Sequence, residues 1–461
     1  MTDVASYLAA NRFGYGVTPD ILRAIGNQPL AWLTAQLTTE RVSKLLAVTK
    51  GHWTSDVALQ HLAKHAQNKR KMRENSNHGN AAKQQLETDR QEMAVKKQLA
   101  KQVLALTALS IEQGIVSDSP FYWHLVDFFS NHFSVSANNI QMRALAPTLE
   151  VEAIAPRVTG NFSDLLQAVT AHPAMLFYLN NEKSFGPSTR FAQKRKDKGL
   201  NENLGREILE LHTLGVDSEY TQGDVTELAK ALTGWSIGRG IRQEPNGFMF
   251  RDVVHEPGER VILGKRYSQP GIKQGQAILT DLANHPNTAK HVSRKLVQHF
   301  ITDEGNENIV AKMVDTWLSQ QGNLAKVLTT MLSHPASWQT PAVKLKTPRE
   351  LLISSCRVCS LALDKEDFIR HLTNLGQRPF NAGSPAGFKD NQQAWSGPHA
   401  MMSRIEWASH VSRIVQVEPI QLAQQSLGPL LSKLSIQQMQ QAESKAQALS
   451  LLLLSPEFQR R

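Results

Sequence analysis

A mainly α-helical fold, one large helical body with a small β-hairpin excursion, is predicted by three observations. Apolar residues recur at helical spacing over most of the chain. Helix-start signals recur with them, at Thr18-Pro19, at Pro29 and at Thr347-Pro348-Arg349-Glu350. Strand-like alternation is confined to Gly247–Gly264. With 461 residues, 41% of them hydrophobic, the chain can bury a large core. No repeat and no clean linker divides it, so residues 1–461 are read as a single domain.

Taken in order, Pro19 and Pro29 each open a helix, because the first helical position needs no backbone N–H. Lys64 to Gly79 is polar and basic and reads as a solvated helix end and mobile loop, carrying Lys69, Arg70, Lys71 and Arg73. A long helix follows from about Ala81 to Gln113, and a second over Ser119–His132. Arg190–Gly199 is another basic loop. Thr221 and Asp224 stand at capping-box spacing ahead of a helical run. Glu256-Pro257-Gly258 reads as the tip of a hairpin over Phe248–Leu263. Thr347 fits an N-cap, Pro348 the first helical position and Glu350 the third, opening a helix to about Leu363. His285–Leu332 and Glu443–Leu454 return to helix.

Bulk properties bound the function. A formal charge of +10 favours acidic partners. The two basic loops carry almost no aromatics to stack bases, so specific nucleic-acid binding ranks below the other readings. No run of about 18 apolar residues occurs, so no membrane span is expected. The first residues lack a basic-then-apolar leader, so a cytoplasmic location is expected. Cys356 and Cys359 lie in an apolar helical stretch and read as buried small hydrophobes rather than a redox pair. Neither a G-x-S-x-G elbow nor H-E-x-x-H, nor a phosphate-loop or dinucleotide fingerprint, is present.

Chemistry concentrates in Asn201–Trp235. Asn201 or Asn203 can cap a helix over Arg206–Thr213, ended by Gly215. Glu207 and Glu210 then lie side by side, while His212 points to the opposite side. Paired carboxylates can do general acid–base work or hold a metal with histidines from elsewhere. The same residues fit a plain Arg206–Glu210 ion pair. Asn131 and His132 close the Ser119–His132 helix, and His255 lies near the hairpin tip. The candidate catalytic residues are therefore Glu207, Glu210 and His132, and His132, Glu207 and Glu210 are the candidate ligands of a divalent metal. Asn131, Arg206, His255, Asn203 and His212 are candidates for ligand binding.

Several blocks together carry a family resemblance. They are Asn11-Arg12-Phe13-Gly14, FFSNHFSVS from Phe128, and NFSDLLQAVTAHPAMLFYLNN from Asn161. Further on come the Asn201–Trp235 segment, His255 with Leu263-Gly264, and HPNTAKHVSRKLVQHFITD from His285. LGQRPFNAGSPAGF from Leu375 and LLLLSPEF from Leu451 complete the set. In this order they resemble the bacterial domain-of-unknown-function 1800 family over nearly the whole chain. The resemblance brings no reaction with it. It implies weight on Asn131-His132, Asn201–Asn203, Arg206, Glu207, Glu210, His212 and His255, and hence a polar interior site. It also implies export for many members, and a sulfatase- or phosphatase-like protein encoded nearby as a partner. This chain departs at Asn180, where the family often has Asp, and at Leu204-Gly205, where Tyr-Ala is more usual.

The function expected first is an enzyme with a polar Glu/His site, metal-dependent in one form, acting on an anionic or polar substrate. The alternative is a non-catalytic assembly or accessory protein working with the linked partner. Nucleic-acid binding comes third.

Overall fold

The computed structural model describes residues 4–77, 82–194, 199–216, 218–239, 246–340 and 342–461, with the side chains of 71–77, 82–88, 239 and 246 excepted. Helices make up most of it, and the sheets among the described residues are two antiparallel strand pairs. Buried apolar side chains from Tyr7 to Phe458 form one large cluster, with Leu106, Leu109 and Val151 in a small second one. The helices that position the site are α1 (Ser55–Asn77), α2 (Ala82–Val116), α3 (Pro120–His132), α4 (Ile140–Leu149), α5 (Pro286–Phe300) and α6 (Pro348–Val358).

Local chemistry sets most helix starts. The Thr18 hydroxyl accepts from Ile21 N ahead of Pro19. Thr221 with Asp224, and Thr347 with Glu350, form full capping boxes. Three His-Pro steps use the imidazole as a cap: His172, His285 and His334 each accept through Nδ1 from the N–H two residues on. Helix α3 is mostly apolar and mostly buried from Phe121 to Phe129, with its polar His124 and Asp127 lining the cleft. Helix α2 packs against α1, α3, α4 and α6, which cover part of its apolar surface and leave Met93 and Val116 exposed. Its Asp89–Val116 stretch is long and apolar enough to cross a membrane by length and composition alone.

Four expectations change. First, the single hairpin over Phe248–Leu263 is two hairpins. β1 (Trp235–Arg239) pairs with β2 (Asn246–Phe250), and β3 (Arg260–Ile262) with β4 (Lys265–Tyr267). Glu256 explains why Pro257-Gly258 is no hairpin tip. Its buried carboxylate accepts from Ser188 N at 2.9 Å and Ser188 Oγ at 2.7 Å, which pins this stretch to another loop. The reversal falls at Leu263-Gly264, both left-handed at φ 50° and 74°, as a two-residue turn requires. Second, the helix over Arg206–Thr213 is α-helical only through Glu207; Ile208–His212 is a π-turn. Third, the Thr347 helix stops at Val358, and Ser360 turns left-handed at φ 50°. Fourth, Lys69 and Arg70 stand on α1, which continues to Asn77. Residues 78–79 of that basic stretch and 195–198 of the second one lie outside the described residues.

Cys356 and Cys359 are free and buried, as their apolar surroundings required. Burial pushes both thiols up, Cys359 to about 12. Because the thiolate is the reactive form, neither should be alkylated by iodoacetamide at pH 7.5 in the native protein. Both should react in guanidinium, and native-state labelling by intact mass would contradict this account.

Candidate functional site

Two helices face each other across the site. On α3, His124, Phe128 and His132 recur every four residues and so share one stripe. On α5, His291, Lys295 and His299 do the same. The stripes meet in opposite directions. His124 packs on His299 with ring centres 4.9 Å apart, and His132 meets Lys295 and His291 at the other end. Helix α6 closes one side with Arg349 and Glu350. The Leu375–Asn391 segment forms the roof, held by Asn131. That amide donates to Phe388 O at 2.9 Å and accepts from Phe388 N at 2.7 Å. The cleft between these elements is about 460 Å³ and open on part of its boundary.

At one end His124, His299 and Glu350 each place one ligand atom within 4.8 Å of the others. All three residues are buried. The rings are held from behind. His124 Nδ1 lies 3.0 Å from Phe13 O, and His299 Nδ1 lies 2.5 Å from Asp390 Oδ2. Both partners accept only, so each Nδ1 carries a proton, and in the neutral ring each Nε2 presents a lone pair. His299 Nε2 is buried with no hydrogen-bond partner. His124 Nε2 stands 2.6 Å from Glu350 Oε1. A neutral His124 ring has one N–H for two acceptors, so a proton or cation is owed between Nε2 and that oxygen. Burial pushes the His124 proton affinity down, against the opposing pull of Glu350. Burial would raise the Glu350 carboxyl, but Arg461 and the His124 hydrogen bond outweigh it and hold it well below the usual carboxylate range.

Glu350 works at both oxygens. Oε2 accepts from Thr347 N at 2.7 Å in the capping box, and Oε1 lies 2.5 Å from Arg461. Arg461 arrives because residues 459–461 run beside 344–346, through Lys346 N to Gln459 O and Arg461 N to Lys344 O, both at 2.9 Å. Behind His299, Asp390 also meets Lys344 at 3.1 Å, and Lys344 pairs with Asp303 at 2.6 Å. A second network fixes α3 to α6. Arg349 binds Asp127 at 2.5 Å, and Asp127 accepts from Tyr15 at 2.8 Å.

At the other end His132 Nε2 donates to His212 O at 3.2 Å, and its Nδ1 accepts from Lys295 Nζ at 3.0 Å. Burial, and then the charge of Lys295, hold His132 far down; the same two causes hold His212 at about 3 and His291 at about 4.

The residues predicted from sequence divide between this cleft and its surroundings. His132 and Asn131 line it. His212 reaches His132 through its backbone carbonyl, delivered by the π-turn, while its own Nδ1 is buried without a partner. Glu207 and Glu210 are not among its lining residues. Both are half-buried, and burial followed by the neighbouring Glu210 raises the Glu207 carboxyl. Arg206 joins Glu210 at 3.3 Å, Glu202 at 3.4 Å and Gln222 at 2.8 Å. Asn203 is exposed, and its N–H goes to Asn201 Oδ1 at 2.9 Å. His255 is half-buried with Nδ1 donating to Thr233 O at 2.9 Å.

Sequence reasoning misses His124, His299, Glu350, Asp390 and Lys295 as a group. One signal is present, the His291–Lys295–His299 stripe at i, i+4 spacing inside HVSRKLVQH. Glu350 is recognisable from sequence for its cap and not for its second oxygen.

The family model described as a protein of unknown function, DUF1800, matches residues 8–460. No curated protein and no solved structure matches the chain.

Proposed function

We propose that this chain, which belongs to the DUF1800 family, is an enzyme that uses a divalent metal held by His124, His299 and Glu350 and acts on a polar or anionic substrate in the cleft. One observation carries the reading: two buried imidazoles present Nε2 lone pairs beside one carboxylate, each with its Nδ1–H fixed by an acceptor. Backing a metal-ligating imidazole with a carbonyl or carboxylate is the usual way its tautomer and direction are set. Two imidazoles and a carboxylate suit zinc, iron or nickel better than magnesium or calcium. A bound ion would polarise a substrate oxygen or acidify a water. Asp390 orients His299, Arg461 orients Glu350, and the roof held by Asn131 limits water.

Metal analysis of the purified protein tests this. About one equivalent of a transition metal is expected after reconstitution, since the site is a single set of three ligands. His299→Ala should lose it, while Glu207→Ala and Glu210→Ala should retain it. Metal lost instead in the Glu207 and Glu210 variants would move the site to that pair, and no binding of zinc, iron, manganese or nickel would end the reading.

A second reading is favoured by how completely Glu350 and Asp390 are already engaged by Thr347, Arg461, His299 and Lys344. Here the network is structural and the chain is a non-catalytic accessory of a sulfatase- or phosphatase-like partner. A metal-free protein that co-purifies with that partner, and loses it when the cleft residues change, would favour this reading.

A further inference from the structure

Lys295 is a cleft group that the metal-ligand reading leaves unused. We propose that it is a nucleophilic amine that forms an imine with an aldehyde or ketone bound in the cleft. The inference shares the cleft with the proposed metal site and does not depend on it.

The geometry has three parts. Lys295 lines the cleft, one helical turn from His299 on the same stripe of α5. Its hydrogen-bond partner is His132 Nδ1 at 3.0 Å. His132 spends its Nε2–H on the His212 carbonyl, so Nδ1 can only accept, and the imidazole holds one N–H of the amine in place. The rest of the nitrogen is left to the cleft. Among the described residues no carboxylate forms an ion pair with Lys295. Asp390, the anion whose charge it feels, is committed to His299 and Lys344. Lys344 shows the contrast, lying in ion pairs with both Asp303 and Asp390. A cation without a counter-ion in a confined site is costly, and the neutral amine avoids that cost. Burial accordingly pushes Lys295 down to about 8, the usual way a lysine is made nucleophilic near neutral pH.

The chemistry balances with nothing else supplied. The ammonium releases one proton to cleft water. The free amine adds to the carbonyl carbon, forming the C–N bond and moving the π electrons to oxygen. Proton transfer from nitrogen to oxygen yields the carbinolamine. Return of the released proton to its hydroxyl expels water and leaves the protonated imine. Lys295 is the catalytic residue in this step, and His132 is a positioning residue that directs the amine.

The test uses the full chain with two probes, glyoxylate and the uncharged acetaldehyde, each with cyanoborohydride, read by peptide mass spectrometry. Both are expected to give a reduced adduct on Lys295 ahead of the surface lysines. Lys295→Arg should abolish it, since a guanidinium keeps the charge and forms no such imine. His132→Gln, at unchanged melting temperature, should slow trapping about tenfold or more through lost orientation. The adduct should persist after chelation, which separates this proposal from the metal. Adducts spread over surface lysines with Lys295 unmodified would overturn it. So would glyoxylate that binds at Lys295 and is never trapped, because the site would then hold only an anion.

Discussion

Replacing Glu350 with alanine should lower the unfolding free energy at pH 7 by about 3–5 kcal/mol, the range for removing one partner of a buried ion pair. Its carboxylate is buried and faces Arg461 at 2.5 Å and His124 at 2.6 Å. The substitution leaves the guanidinium as an uncompensated buried charge, and it also deletes the capping box that opens α6. Urea titration of both proteins measures the difference. A loss below about 1 kcal/mol, the size of an exposed pair, would show that Glu350 does not organise this region. Glu92→Ala is the comparison, since Glu92 pairs with the largely exposed Lys96 at 2.9 Å and should cost far less.

Lys346→Met is expected to act in the opposite direction. Lys346 is 2% exposed, donates to Ser354 Oγ at 3.2 Å and lies 4.3 Å from the centre of the Phe458 ring. Burial pushes it down to about 7, with Arg461 and Arg404 adding to the effect and Glu350 opposing it. The folded value is thus below the unfolded one of about 10.4. Between the two the unfolded chain binds more protons, so stability rises with pH across that window. The penalty is complete below about pH 7 and fades toward pH 10.5. Methionine fills similar space without charge, so the variant should be more stable at pH 6 by a few kcal/mol, on the order of 3–5. The gain should shrink markedly at pH 9.5. Denaturant midpoints of both proteins at the two pH values decide it; an equal gain at both, or a loss at pH 6, would mean the ammonium is well accommodated.

Elements with local causes are legible in the sequence. Thr347, Pro348 and Glu350 announce α6 within four residues, and Thr221 with Asp224 announces the helix at Gln222–Ala231. The long helix after Ala81 is legible from periodicity, and its observed limits, Ala82–Val116, differ by a few residues. The hairpins are harder, because a Pro-Gly pair is a local turn signal that a distant contact overrides. Ser188 binds Glu256 across 68 residues, and no local pattern anticipates that. The π-turn at Ile208–His212 also lies beyond a uniform 3.6-residue period, although it is what carries the His212 carbonyl to His132.

By itself the sequence determined the helical class and the main capping boxes, which depend on residues close together along the chain, and the family, which shows in short blocks that keep their order; it also singled out Asn131 and His132, both of which line the cleft. Only the tertiary structure decided which polar groups share a cavity. His124 meets Glu350 across 226 residues, His132 meets Lys295 across 163, and Asp390 meets His299 across 91. A period of 3.6 residues can place His291, Lys295 and His299 on one stripe, but not name the helix that stripe faces. That choice belongs to the packing of the whole core, where burial turns three scattered polar residues into one set of converging lone pairs.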